Sequence, residues 1–174
     1  MPRSFDLSAD YDGSVEEVHR AFTDETYWRA RLAGSGVDVA TLESMRVGGE
    51  TGDDDTVEVV TVQVIHSHKL PGMVTQLHAG DLRIRREEVW GPVADGTAQG
   101  TVVGAILDAP VNLTGTAALL PITETGGARL TFRATVQVRV PIIGGKLENI
   151  IGNQLAELVA AEQRFTTEWI ARTG

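Results

Sequence analysis

Two overlapping stretches decide the fold: ARLTFRATVQVRV (128–140) and VPIIGGKLENIIGNQLAELVAAE (140–162). The hydrophobic period changes between them. In the first, Ala128, Leu130, Phe132, Ala134, Val136, Val138 and Val140 fall on one face. Arg129, Thr131, Arg133, Thr135, Gln137 and Arg139 fall on the other, as in a strand with one dry and one wet side. Past Pro141 the apolar positions become Ile143, Leu147, Ile151, Leu155, Leu158, Phe165 and Trp169. They lie three or four apart, or a multiple of that, which only a helix places on one stripe. A helix over 143–172 is about 45 Å long at about 1.5 Å per residue. A rod of that length after antiparallel strands implies a sheet curled around a helix, a shape that encloses a cavity.

Upstream, the same reading gives strands at 111–122, 97–107, 82–90, 57–68 and 37–47, and a first one at 3–11. The Pro- and Gly-containing segment 70–81 reads as a loop or one short helix. Asp12-Gly13-Ser14 turns the first strand into a helix, and Glu17, three residues after Ser14, completes a capping box. A second helical piece over 24–32 puts Trp28 and Leu32 four apart and ends at Gly34 and Gly36. Gly144 and Gly145 read as the turn before the long helix. The order is strand, two short helices, six strands, long helix. The expected fold is therefore α+β: a seven-stranded antiparallel sheet wrapped around a long C-terminal helix. No internal repeat or linker interrupts it, so residues 1–174 read as a single domain.

Composition narrows the function classes. The chain has 42% apolar and 22% charged residues, enough to build one core. Its net charge of −9 disfavours nucleic acid and anionic membranes, whose recognition depends on Lys and Arg neutralising phosphate. There is no cysteine, which excludes disulfides, zinc ribbons and thiol catalysis. No apolar run approaches the roughly 18 residues of a membrane span, and no apolar leader stands at the N-terminus. The expected location is cytoplasmic, without membrane insertion. Residues 48–55 (GGETGDDD) lack the spacing and closing Glu of a calcium loop and read as a solvated turn.

YDGSVEEVHRAFTDETYWRAR (11–31) and VPIIGGKLENIIGNQLAELVAAE (140–162), with the strand order between them, resemble the START-like (SRPBCC, helix-grip) superfamily. Within it they look like an uncharacterised actinobacterial family. The resemblance implies a sheet gripping the C-terminal helix with a cavity between. The superfamily includes lipid carriers, quinone-binding proteins, hormone receptors, and polyketide cyclases and aromatases. Such a fold does not fix function.

Candidate site residues follow from strand parity. His66 and His68 continue the face of Val60, Val62 and Val64. If that face points inward, two imidazoles reach one end of the cavity, where His78 could join them around a metal. A strand end emerging into solvent explains the pair without any metal, and no metal site is expected. Leu82 and Ile84 set an inner parity that carries Arg86, Glu88 and Trp90 inward. A lone inward guanidinium at Arg86 suits an anionic head group. Trp28, Trp90 and Trp169, three of only nine aromatic residues, read first as core. Gly152 either leaves room for a ligand or permits close packing.

The expected function is binding or carriage of a hydrophobic small molecule (lipid, polyketide or quinone-like) between sheet and C-terminal helix, without a cofactor. The alternative is a polyketide cyclase/aromatase-like enzyme using the same cavity. The expected ligand-binding residues are His66, His68, Arg86, Trp90, Phe132, Ile151, Leu155 and Leu158. Ile151, Leu155, Leu158 and Phe132 are expected to border a pocket of a few hundred cubic ångströms. Ala128 and Ala134, with Gly100, Gly104 and Gly115 on neighbouring strands, would leave the space.

Overall fold

The computed structural model describes residues 2–66 and 80–173. Seven strands form one antiparallel sheet: β1 (Arg3–Tyr11), β2 (Val39–Val47), β3 (Val57–Ile65), β4 (Leu82–Trp90), β5 (Ala98–Ile106), β6 (Val111–Pro121) and β7 (Ala128–Val138). The spatial order is β1-β7-β6-β5-β4-β3-β2. Two helices, α1 (Val15–Phe22) and α2 (Glu25–Ala33), follow β1, and α3 (Gly144–Thr173) closes the chain. This is the sheet with a long C-terminal helix expected from the alternation of periods, and the helix-grip architecture that the resemblance implies.

Local chemistry starts each helix. Ser14 Oγ accepts from the Glu17 N–H (3.2 Å), and Glu17 Oε1 accepts from the Ser14 N–H (3.0 Å), a complete capping box. Asp24 caps α2 by accepting the Thr26 N–H at 2.9 Å. The entry to α3 differs from expectation, because Gly144 already belongs to the helix and the turn lies before it. Pro141 cannot extend the sheet, and Ile142 takes a left-handed φ of 73° with its side chain fully exposed.

The inner face of the sheet reads Val57, Val59, Thr61, Gln63 and Ile65 on β3, opposite Trp90, Glu88, Arg86, Ile84 and Leu82 on β4. Two apolar clusters lie under it. One joins Tyr11, Val15, Val18, Phe22, Tyr27, Trp28 and Trp90 to Phe165, Trp169 and Ile170 of α3. The other joins Leu82, Val111, Val136 and Val138 to Leu147, Ile150, Ile151 and Leu155. Gly152 settles as a packing position. A Cβ there would run into the Phe5 ring, so the helix touches β1 through bare backbone.

Candidate functional site

The line of α3 that goes deepest is not its leucine stripe. Its buried residues are Gly144, Leu147, Glu148, Gly152, Val159 and Thr166, whereas Ile151, Leu155, Leu158, Phe165 and Trp169 are half-buried. The helix therefore aims a line containing Glu148, Glu162 and Thr166 at the interior. Two carboxylates on that line meet cations in different ways.

Glu162 sits between two arginines. Arg31 Nη2 of α2 lies 2.6 Å from its Oε1, and Arg86 Nη2 of β4 donates to its Oε2 at 2.8 Å. Glu88 stands beside them, its Oε2 at 3.6 Å from Arg86 Nε and 3.9 Å from Arg31 Nη2. All four side chains are mostly buried; Arg31 is 8% exposed and Glu88 12%. Arg31 also stacks over the Trp28 ring at 4.6 Å and reaches the Tyr27 hydroxyl with Nη1 at 3.4 Å. That hydroxyl contacts Thr166 Oγ1 at 2.5 Å. The Arg86 parity expected from the sequence is the one seen, but its partners are carboxylates of this chain.

The charges hold one another. Burial pulls the Glu162 carboxyl upward, yet Arg31 and Arg86 outweigh that and hold it below the ordinary carboxylate value. Burial works against the charge on Arg31 and Arg86, but Glu162 above all raises both beyond the ordinary value. Burial raises the Tyr27 and Tyr11 hydroxyls, which stay neutral. None of these five groups is poised to exchange a proton near neutral pH.

Arg31, Glu88 and Glu162 of the cluster line a cavity of about 40 Å³, together with Tyr11, Phe22, Trp90, Leu130, Val159 and Thr166. Ile151, Leu155, Leu158 and Phe132, expected to border a pocket of a few hundred cubic ångströms, do not line this small cavity. The reason is steric. Gly100 and Gly115 are thin places in the sheet, but aromatic rings occupy them. A Cβ on Gly100 would lie 2.7 Å from Trp90, and one on Gly115 would run into the Phe132 ring. A larger hollow of about 410 Å³, open to solvent, reaches Leu7, Ala117 and the expected Phe132 and lies over Asp6, Ser8, Gln99, Thr116, Thr131 and Arg133. The latter six are outward positions of β1, β7, β6 and β5.

The other expected residues separate. Trp90 is 4% exposed and lines the small cavity. Phe132, Ile151, Leu155 and Leu158 are half-buried rather than closed off. His66 lies beyond the end of β3, on the outward parity of Val60, Val62 and Val64, because the face buried against the core is that of Val57, Val59 and Thr61. Its N–H donates to Asp38 at 2.8 Å, and its Nδ1 lies 3.1 Å from Asp81. His68, His78 and all but the last two residues of segment 70–81 lie outside the described residues. Among the described residues no group of three metal-binding side chains occurs.

Arg31 and Glu162 were not singled out in the sequence, although a signal existed for one. Leu155, Val159, Glu162 and Thr166 are spaced four, three and four, so Glu162 occupies an apolar position of the helical period. For Arg31 the only hint is its place three residues after Trp28.

A family model described as "Protein of unknown function (DUF2505)" matches residues 6–170. An uncharacterized protein of Mycobacterium tuberculosis (strain ATCC 25618 / H37Rv) is 67% identical over 170 residues, which covers 98% of each chain. Among solved structures, the fold is similar to TTHA0849 from Thermus thermophilus, with a TM-score of 0.62 and 16% identity over 99% of this chain and 100% of that one. It is also similar to a START superfamily protein from Mycobacterium smegmatis, with a TM-score of 0.55 and 10% identity over 95% and 98%. At such identities the likeness shows a shared fold. The START-like resemblance and the actinobacterial kinship read from the sequence both hold.

Proposed function

The chain belongs to the DUF2505 family and carries a START-like fold, and from that premise we propose that it binds a hydrophobic small molecule between sheet and α3. The observation that carries this reading is the half-buried state of apolar side chains on α3 and on the inner face of the sheet. These are Leu155 and Leu158 on α3, and Ile84, Ile106 and Leu113 on the inner face of β4, β5 and β6. A closed core would bury them fully. The ligand's apolar body lies along this strip, with Ile151 and Phe132 at its margins. Its polar end faces Arg86 and Trp90. His66, on the outward parity, takes no part.

Binding needs the interior to open, since about 40 Å³ holds little more than a water. Carriage is favoured over catalysis because Glu162, Arg31 and Arg86 keep their charges at neutral pH. Among the described residues no helix is long and apolar enough to cross a membrane.

The test is uptake of Nile red, an uncharged environment-sensitive dye, beside native mass spectrometry of the purified protein for a retained molecule. Wild type is expected to take up dye. Leu158→Trp is expected to abolish uptake while the melting curve stays cooperative. A wild type that takes up no dye and retains no molecule overturns the proposal.

A further inference from the structure

The small cavity beside Arg31, Glu88 and Glu162 has a definite hydrogen-bonding character. Two guanidinium groups and two carboxylates make the cluster formally neutral. Both oxygens of Glu162 are engaged by arginines. Among the described residues, Arg86 Nε and Glu88 Oε2 are buried and make no hydrogen bond, and the same holds for Glu148 Oε1 in the first half of α3. Arg31 Nη2 lies 2.6 Å from Glu162 Oε1, and the second of its two hydrogens is left over. Unmet capacity in so buried a place calls for an occupant. What is left over is two donors and one acceptor.

We propose that this cluster recognises an uncharged hydroxyl, an alcohol or a phenol, at the tip of the ligand, and rejects a carboxylate in the same place. The inference rests on the ligand-binding reading above and names the class of ligand. Glu88 Oε2 lies 3.6 Å from Arg86 Nε and 3.9 Å from Arg31 Nη2, too far for direct hydrogen bonds. Atoms that far apart are both within about 2.8 Å of a single oxygen set beside the line joining them. A hydroxyl there accepts from an arginine and donates to Glu88, satisfying both kinds of group at once.

A carboxylate in the same position accepts from the arginines but has no proton for Glu88. It adds a third negative charge beside Glu88 and Glu162 in a poorly solvated site. An ammonium meets two arginines. A hydrocarbon tip leaves the donors and the acceptor unpaired. The volume of about 40 Å³ suits one small group, and Tyr11, Phe22 and Trp90 supply an aromatic wall around it. The anionic head group expected for Arg86 from the sequence is therefore replaced by a neutral one. Glu162 lies one helical turn beyond Leu158, so a tip held here leaves the rest of the ligand on the apolar strip.

The test compares three probes of one body: 2-naphthylmethanol, 2-naphthoate and 2-methylnaphthalene, each measured by equilibrium dialysis at neutral pH. Wild type is expected to bind the alcohol about tenfold or more tighter than either of the others. Glu88→Gln removes one negative charge with little change of shape, and is expected to close most of the gap between alcohol and carboxylate. Arg86→Lys keeps the charge but removes the Nε–H, and is expected to weaken the alcohol while leaving the hydrocarbon unchanged. A carboxylate or hydrocarbon bound as well as the alcohol by wild type overturns the proposal, whatever the variants do. The hydrocarbon result is also what a permanent bridging water in the cavity would give. If Nile red binds but the alcohol does not, only the hydroxyl inference falls. If neither dye nor any probe binds, the ligand-binding reading falls with it.

Discussion

The two halves of α3 meet the sheet on different terms. Up to Leu155 the helix packs on aliphatic side chains of β6 and β7 and touches β1 through Gly152 against Phe5. Beyond it, the helix packs on the aromatic residues of α1 and α2 and on a cluster of four charges. Each half also buries a glutamate, and the pair is instructive. Glu148 is fully buried and accepts the Val138 N–H at 2.9 Å, with Arg3 at 3.6 Å and itself half exposed. Its Oε2 serves as a backbone cap for the end of β7, while its Oε1 makes no hydrogen bond. Glu162 has two arginines, and its role is between side chains. One glutamate is explained by the fold it supports. The other belongs to a group larger than its structural role requires, which is why the second half is the better place to look for function.

The comparison breaks most sharply at Glu162. Glu162→Leu leaves two buried guanidinium groups facing only Glu88. It is expected to destabilise by about 3–5 kcal/mol, read from denaturant unfolding. The pH dependence sharpens the point. The folded-state carboxyl of Glu162 is held below the ordinary value of 4.5. Its contribution is therefore complete above that value and is lost as pH falls through the lower, folded-state value. Glu162→Gln is expected to flatten the acid limb of the stability profile; an unchanged limb would show that the arginines do not hold the charge.

In the other half, Gly152→Ala gains about 1 kcal/mol of helix propensity. It nevertheless forces a methyl into the Phe5 ring, and overpacking of about 1–3 kcal/mol outweighs the gain. The melting temperature is expected to fall, and Phe5→Leu in the same chain is expected to restore much of it. Smallest is Ser14→Ala, which removes the shared cap of α1 at one side of the aromatic cluster. Its expected cost is about 1 kcal/mol, without change in dye uptake.

The strands and the long helix were legible because each burial pattern has its own period. Phe132 on β7 and Leu147 on α3 could be assigned without knowing their partners. The inward parity of Arg86, Glu88 and Trp90 was legible for the same reason. What touches Arg86 was not, because Arg31, Glu88 and Glu162 come from three elements and no local pattern brings 31, 88 and 162 together. Parity also misleads where both faces of a strand are apolar. On β3, Val60, Val62 and Val64 look as buried as Val57 and Val59, and only the core decides between them. The lining of the small cavity was not legible for a related reason. Gly100 and Gly115 read as vacancies along the chain, but a neighbouring strand fills each with a ring.

The pairing of β1 with β7 has a consequence for how the chain folds. Strands β2 to β7 follow one another, each paired with its immediate successor in the chain. β1 waits for β7. Arg3 stands opposite Val136, and closing so long a segment carries an entropic penalty that hairpins do not. During synthesis, Phe5, Leu7 and Tyr11 leave the ribosome long before the strand that covers them. Until β7 arrives, β1 is an amphipathic segment without a sheet, open to pairing with another chain or to protection by a chaperone. The β1–β7 pairing is the one of greatest sequence separation in the sheet, the kind of contact that slows folding.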